Sequence, residues 1–177
     1  PVYLMPILES ATGILNSLAI AKASKNNVAI AIGLEDYTAD IGVQRTNEGR
    51  ESLFARSQVV NAARSVGIQA IDTVFSDVND EDSLRKSVRE AKGLGFEGKG
   101  CIHPRQIQPI HDEFAPSKFE IDKARNIIIA FDKAKAKGLG VVSLGSKMID
   151  PPVVKRAQHT IHLAISMSLI SKNWKWK

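Results

Sequence analysis

Acidic side chains follow apolar, strand-like runs in the first part of the sequence. Glu9 follows the apolar run 2–8, and Asp36 lies in the polar segment after the apolar run 28–32. Carboxylates without a Cys or His cluster indicate a hard cation such as magnesium, which takes one or two carboxylates and completes its shell with water and substrate oxygens. Such an ion stabilises negative charge growing on a carbonyl oxygen. The two acids together predict this metal site, whereas each one alone would more often be a helix cap or a solvated loop group.

The elements that must position these acids are four strand–helix units. Continuous apolar strands alternating with amphipathic helices are typical of a parallel sheet covered on both faces, so the fold class is α/β. The loops after the strands' carboxyl ends gather at one edge of such a sheet, where the acids and His103 should converge. Beyond these units the sequence predicts a helix, a short strand and a final helix. The predicted strands are 2–8, 28–32, 68–75, 100–103 and 141–144, and the predicted helices are 12–24, 51–66, 80–92, 105–112, 118–137 and 151–170.

Two architectures contain four such units. One is the C-terminal half of a TIM (β/α)8 barrel, in which residues 1–137 form the second half of the barrel and residues 138–177 form a C-terminal cap segment and helix. In that case four further strands would precede Pro1. The other is a complete open-sheet α/β protein. Periodicity alone does not separate them.

The composition and charge of the chain argue against a membrane protein and against a nucleic-acid-binding protein. The chain is 44% hydrophobic and 24% charged, which is ordinary for a soluble globular protein. Its longest apolar runs, such as 28–33 and 127–131, are far shorter than the ~20 residues of a membrane span, and no secretory signal pattern opens the chain. We therefore expect a cytoplasmic protein without a membrane partner. The net charge of +5 comes largely from local lysine clusters, which we interpret as solvated surface and not as a nucleic-acid site.

Several other polar residues have structural interpretations. We expect Cys101 to be a buried small residue and His103 to make a fixed hydrogen bond at a strand end. Asp72 is interpreted as a buried polar contact and Arg56 as an exposed helix charge. The tail 166–177, with its alternating Trp and Lys residues, is expected to be unpacked.

Four segments in this order resemble the citrate lyase beta subunit (citryl-CoA lyase) family of the HpcH/HpaI aldolase superfamily. They are ILES at 7–10, GLEDYTADIG at 33–42, GKGCIHP at 98–104 and KMIDPP at 147–152. The likeness extends from about residue 2 to 162 and includes Arg56 in LFARS and Asp72 in AIDTV. The resemblance implies a magnesium-dependent (β/α)8 barrel that cleaves or joins 3-hydroxy acyl thioesters.

The resemblance also implies roles for particular residues. Glu9 and Asp36 would be the metal ligands, and the turn formed by Gly33, Leu34 and Glu35 would seat the substrate carboxylate. The side chains of Glu35 and Asp40 are expected to shape this loop, the alternative being direct ligation of the metal.

Asp150 matches a general acid/base that, in some members of the family, reaches the active site of a neighbouring subunit. Asp150 also precedes the Pro-Pro start of the final helix, where it could simply be the N-cap.

The leading hypothesis is therefore a lyase that converts citryl-CoA, or citryl-acyl-carrier protein with its phosphopantetheine arm, to oxaloacetate and an acetyl thioester. A citramalyl-CoA or malyl-CoA lyase is the first alternative. A non-catalytic half-barrel acting as a scaffold or remnant is the second. The resemblance implies a homo-oligomer, a trimer or hexamer, and citrate lyase subunits as further partners. It also places a substrate-binding arginine before Pro1, so activity would depend on that part of the barrel.

Overall fold

The computed structural model describes residues 1–145 and 147–176, apart from the side chains of Lys147 and Trp176. Contacts divide the chain into two compact units, Pro1–Phe114 and Ala115–Lys177. The sequence places a boundary at 137/138 instead. The difference arises because the helix that follows Phe114 packs on the final helix of the chain.

The first unit is built on a four-stranded parallel sheet with the order β1-β2-β3-β4. Leu8 lies opposite Ile32, and Asp72 opposite Lys99. This confirms the α/β class with a parallel sheet. The strands are β1 Ile7–Leu8, β2 Ala29–Ile32, β3 Gln69–Asp72 and β4 Gly98–Lys99.

Helices cover one face of this sheet. They are α1 Ala11–Leu15, α2 Ser17–Lys22, α3 Leu34–Asp40, α4 Leu53–Val66, α5 Glu81–Leu94 and α6 Ile107–Phe114, the last preceded by a 3-10 turn, Pro104–Gln106. Leu8, Ile30, Ile32 and Ala70 form one buried core with residues of α1 to α5. Successive side chains of a strand point to opposite faces. Ile7, next to Leu8, accordingly lies on the other face and is 55% exposed.

Several predicted elements of the first unit are wrong in type or extent, among them the first strand, which is Ile7–Leu8 and not 2–8. The segment after β2, predicted as a polar loop, is the helix α3. The helix predicted over 12–24 is divided into α1 and α2 at Asn16, and its N-cap is Ser10, whose side chain accepts a bond from Gly13 N. Leu15 and Leu18 of this segment are 70% and 41% exposed.

The fourth strand lies earlier than predicted. It is Gly98–Lys99 and not 100–103, because residues 98 and 99 are the ones that continue the ladder with Ile71 and Asp72. A Cβ at Gly100 would lie 2.7 Å from Val74 Cγ1, so this close approach requires glycine. Cys101 then lies exposed, which makes the prediction of a buried thiol wrong.

The second unit packs α7, Lys118–Lys135, against α8, Pro151–Ser166, with the antiparallel hairpin β5 Val142–Leu144 and β6 Lys147–Ile149. Ser117 and Glu120 form a capping box at the start of α7. The core of this unit contains Ile121, Ile128 and Ile161, among others.

Trp174 in the tail packs against the core of the second unit. Its ring faces the Arg125 guanidinium at 5.9 Å, and Lys175 Nζ lies 2.8 Å from Asp132 Oδ2. The prediction of an unpacked tail is therefore wrong at Trp174. Among the described residues of the chain, every helix is too short or too polar to cross a membrane.

Candidate functional site

Glu9 and Asp36 lie on segments that follow the neighbouring strands β1 and β2 at the carboxyl edge of the sheet. Glu9 follows β1 directly, and its exposed side chain lies over Gly33, the N-cap residue of α3. A Cβ at position 33 would be 2.5 Å from Glu9 Oε1 and 2.8 Å from its Cγ, so only glycine admits this arrangement. Asp36 is exposed in the first turn of α3, three residues after Gly33. The two predicted ligands thus lie on adjoining segments, as expected for loops after neighbouring parallel strands.

Hydrogen bonds join the segments that follow the first three strands. Asp40 Oδ2, at the end of α3, accepts a bond of 2.7 Å from the N–H of Ala11, after β1. The buried N–H of Leu34 donates to Thr73 Oγ1, after β3, at 3.1 Å. The prediction that Asp40 shapes this region is confirmed.

Glu35 is held by an arginine that sequence reasoning missed. Arg45 Nη1 lies 2.6 Å from Glu35 Oε1, and its Nη2 donates to the carbonyl of Val74 at 2.7 Å. The Arg45 side chain is 18% exposed and that of Glu35 58%. Arg45 lies in the polar stretch after α3, where no periodic pattern of hydrophobic residues distinguishes it, so the sequence alone did not identify it.

The predicted substrate turn at Gly33, Leu34 and Glu35 already uses part of its hydrogen-bonding capacity. Gly33 N donates to Leu8 O at 2.9 Å, and Leu34 N is taken by Thr73. The first intrahelical bond of α3 comes from Tyr37 N to Gly33 O. The N–H groups of Glu35 and Asp36 precede that bond and are the ones this turn could offer to a ligand. The substrate role of the turn stays a prediction.

A buried ion network lies between β3, β4 and α4. Arg56 donates to both oxygens of Asp72, at 3.1 and 3.0 Å, and Lys99 Nζ lies 3.0 Å from Asp72 Oδ2. Arg56 Nη1 also reaches Glu90 at 2.8 Å. Asp72 is thus the buried polar contact expected, whereas the prediction of Arg56 as an exposed charge is wrong, since the residue is 4% exposed. Sequence reasoning also missed Lys99, whose position between two glycines at the end of β4 could have indicated it.

Burial and ion pairing move two pKa values in this network. Burial lowers the pKa of the Lys99 ammonium, and the attraction of Asp72 only partly opposes it. For Arg56, burial acts in the same downward direction, but the charges of Asp72 and Glu90 outweigh it and raise the pKa. A polar cleft of about 580 Å³ lies above the network, with Leu34 and Glu35 on one side.

Two further predicted site residues have clear local contacts. His103 Nδ1 accepts a bond of 3.1 Å from Arg105 N at the start of the 3-10 turn, which confirms a fixed hydrogen bond. In the second unit, Asp150 is the N-cap of α8, and its Oδ1 accepts from Val153 N at 3.1 Å. Its Oδ2 has no hydrogen bond to any described residue. The capping role of Asp150 is confirmed, and its catalytic role stays a prediction.

The donor set fits magnesium better than a metal that needs a closed protein cage. No group of three or more His, Cys, Asp or Glu side chains in the described part of the chain could hold a metal by itself. Magnesium usually keeps several waters and binds through one or two carboxylates plus substrate oxygens. The Glu9 carboxylate lies over the backbone of Gly33, and Asp36 is exposed. These two carboxylates would supply part of a magnesium coordination shell and leave its other positions open.

Comparisons with known proteins agree on one family. The family model described as HpcH/HpaI aldolase/citrate lyase matches residues 1–104. The chain is similar to citrate lyase subunit beta of Escherichia coli (strain K12), with 46% identity over 155 residues, which are 88% of this chain and 51% of that protein. It is also similar to mitochondrial citramalyl-CoA lyase of Mus musculus, with 37% identity over 175 residues, 94% of this chain and 52% of that protein.

A solved structure supports the same relationship. The crystal structure of protein CitE from Mycobacterium tuberculosis in complex with magnesium, acetoacetate and coenzyme A matches with a TM-score of 0.81 and 28% identity, over 93% of this chain and 61% of that chain. The chain spans about half the length of the curated relatives it matches.

Proposed function

Because the chain belongs to the HpcH/HpaI aldolase/citrate lyase family, we propose that it carries the metal-binding groups of a magnesium-dependent carbon–carbon lyase. The substrate would be a citryl thioester, cleaved to oxaloacetate and an acetyl thioester. The observation that carries the proposal is the Glu9 carboxylate seated over Gly33, with Asp36 in the helical turn that follows. This arrangement presents two carboxylates at the edge of the sheet where α/β enzymes bind their ligands.

Glu9 and Asp36 would hold the magnesium ion. When bound, magnesium supplies a Lewis acid that polarises a substrate carbonyl and stabilises negative charge on its oxygen. Glu35 is engaged with Arg45, so it would contribute to the site through its backbone N–H, beside that of Asp36. These two N–H groups would bind a substrate carboxylate through charge-assisted hydrogen bonds.

Asp150 would move the proton. In the cleavage direction its carboxylate takes the proton of the substrate's 3-hydroxyl group, the bond between C2 and C3 breaks, and the hydroxyl oxygen becomes the ketone oxygen of oxaloacetate. The electron pair of the broken bond stays on the acetyl thioester fragment, whose carbon then receives the proton that Asp150 took up, so that the Asp150 carboxylate is restored. Asp150 Oδ1 accepts the cap bond from Val153 N, and Oδ2 would carry the proton.

The four-stranded sheet would be the C-terminal half of a TIM barrel. Two features support this part of the proposal: all its strands are parallel, and Ile7 exposes 55% of its surface on the face opposite the helical layer. Closing the barrel would pair the edge strands β1 and β4 with four further strands and bury that face. Residues 138–177 would then act as the C-terminal cap segment, exchanged between subunits.

The acyl carrier would be coenzyme A or the phosphopantetheine arm of an acyl-carrier protein. Coenzyme A is bound in the similar CitE structure. Citramalyl-CoA is the alternative substrate, because a citramalyl-CoA lyase is 37% identical to this chain; malyl-CoA is the third. The protein would work in the cytoplasm as a homo-oligomer, a trimer or hexamer, with other citrate lyase subunits as further partners.

A reconstituted barrel tests the proposal. The chain would be co-expressed with the N-terminal half of the Escherichia coli relative, and cleavage of citryl-CoA, citramalyl-CoA and malyl-CoA would be followed with magnesium and after chelation. We expect magnesium-dependent cleavage that Glu9→Gln and Asp36→Asn each abolish. Glu48→Gln, which neutralises an exposed acid on the loop before α4, serves as the control and should retain activity. Activity that persists without magnesium would refute the metal assignment. An assembled, magnesium-binding barrel without turnover on any of the three substrates would favour a non-catalytic scaffold.

A further inference from the structure

The carboxylate of Asp40 connects two segments of the site that are distant in sequence. Its Oδ2 accepts a hydrogen bond of 2.7 Å from the N–H of Ala11, 29 residues earlier. Ala11 is the first residue of α1 and follows Glu9 by two positions. The first N–H groups of a helix have no partner within that helix. Asp40, which belongs to α3, therefore accepts a hydrogen bond from one of the free N–H groups at the start of α1, close in sequence to the proposed metal ligand Glu9.

The position of α3 depends on contacts of this kind. The helix has seven residues, and a helix so short is not stable by itself. Its N-terminal end is fixed by the buried bond from Leu34 N to Thr73 Oγ1. Its C-terminal end is fixed to the segment after β1 by Asp40. Burial of Leu34 and Tyr37 in the core holds α3 on the sheet, and the bond of Asp40 is the attachment that joins its C-terminal end to the segment after β1.

Asp36 and Asp40 move together because they belong to the same helix. They are four residues apart, which places them on one side of α3 about 6 Å apart along its axis. A shift of α3 relative to the start of α1 would therefore change the distance from Asp36 to Glu9. Magnesium tolerates such a change poorly, because it demands near-ideal octahedral geometry.

We infer that Asp40 is a positioning residue for the metal site, acting through its hydrogen bond to Ala11 and not as a ligand. The inference rests on the proposed function, because it takes Glu9 and Asp36 as the ligands. Groups that hydrogen-bond a metal ligand directly change metal affinity by about 10–100-fold when they are removed. Asp40 bonds Ala11, two residues from Glu9, and not a ligand itself, so we expect the lower end of that range.

The bond can be removed from either side without touching a proposed ligand. Asp40→Ala removes the acceptor, whereas Asp40→Asn keeps an acceptor oxygen and loses the charge. Ala11→Pro removes the donor and leaves Asp40 in place. Proline is favoured at the first position of a helix, and Ser10 has the extended backbone, φ −146° and ψ 158°, that a residue before proline prefers.

The test measures the affinity of the full 177-residue chain for Mn²⁺ by electron paramagnetic resonance. Asp40→Ala and Ala11→Pro should each lose at least about tenfold in affinity, and combining them should add no further loss because they break the same bond. Asp40→Asn should bind as the wild type does. The matched control, Asp112→Ala, removes another exposed carboxylate with a 2.7 Å hydrogen bond, to Gln108, and should leave the affinity unchanged.

Two outcomes overturn the inference alone. One is wild-type affinity in both Asp40→Ala and Ala11→Pro. The other is an Asp40→Asn variant as weak as Asp40→Ala, which would mean that Asp40 acts by charge or direct ligation. If Asp40→Ala fails to fold, Ala11→Pro and Asp40→Asn decide the question. The proposed function fails separately: a Glu9→Gln variant with wild-type affinity, or a wild-type chain that binds no Mn²⁺, contradicts the metal site itself.

Discussion

Replacing Asp72 by Asn should destabilise the first unit by about 3–5 kcal/mol, the usual cost of breaking a buried ion pair from one side. The side chain of Asp72 is 1% exposed, that of Lys99 2% and that of Arg56 5%. The substitution keeps the shape of the side chain but leaves two buried cations without their shared carboxylate. Arg56 still has Glu90, whose side chain is 40% exposed, so most of the loss should come from Lys99.

The contribution of Lys99 to the destabilisation by Asp72→Asn has an upper limit, because Lys99 can lose its proton. A lysine with an ordinary pKa can be neutralised at pH 7 for about 5 kcal/mol, so a larger penalty would be avoided by loss of the proton. Burial already lowers the pKa of Lys99, and loss of Asp72 would lower it further. In the range between that lowered pKa and the ordinary value, the unfolded chain holds more protons than the folded one, so the free energy of unfolding rises with pH. The cost of Asp72→Asn should therefore shrink as the pH is raised.

Urea unfolding followed by circular dichroism, at pH 7 and at about pH 9.5, measures both effects. Asp77→Asn, which neutralises an exposed acid and keeps its bond from Asn79 N, is the control and should change stability little. Adding Lys99→Met to Asp72→Asn should recover part of the loss, because one unpaired cation is gone. A loss below about 1 kcal/mol, the range of an exposed ion pair, or a loss that does not depend on pH, would refute this reasoning.

Three other results should follow from single contacts. Gly33→Ala should displace the Glu9 carboxylate, since the new Cβ would lie 2.5 Å from Oε1; Mn²⁺ affinity measured by paramagnetic resonance should fall, and unchanged affinity would contradict the arrangement. Asp150→Ala should lower the free energy of unfolding of the second unit by about 1 kcal/mol through loss of the cap. Asp150→Asn should preserve this stability yet abolish cleavage by the reconstituted barrel. An active Asn variant would argue against proton transfer by Asp150. Because burial lowers the pKa of Lys99, the urea midpoint of the wild type should rise with pH between that lowered pKa and the ordinary lysine value. Part of this rise should be absent in Lys99→Met, and equal slopes of midpoint against pH in both proteins would contradict the pKa shift.

The sequence predicts the buried strand β2 and the long helices well, because burial gives these elements a clear hydrophobic pattern. The continuous apolar run that includes Ile30 and Ile32 is a parallel strand buried in the core. The helix predicted over 118–137 is α7, Lys118–Lys135, which begins after the Ser117 cap. In both cases the pattern reflects burial that recurs along the element, and a single sequence reveals it.

Tertiary contacts explain the failures. The α3 segment is rich in polar residues and looks like a loop, yet bonds from Leu34 to Thr73 and from Asp40 to Ala11 hold it as a helix. Arg56 lies on a helix, where a charged side chain is normally exposed to solvent, but here it is buried in an ion pair with Asp72 on a neighbouring strand. Such partners, far apart in sequence, leave no periodic trace. Glu9 and Asp36 could be identified as candidates because each directly follows or closely follows an apolar strand.

A crystal structure of the protein grown with Mn²⁺, in which anomalous scattering locates the ion, would test whether Glu9 and Asp36 hold the metal. We expect one ion at coordination distance, about 2.1 Å, from a carboxylate oxygen of Glu9 and one of Asp36, with its other positions open to water or substrate. An ion held elsewhere, or an ion bound by only one of these two residues, would contradict this assignment.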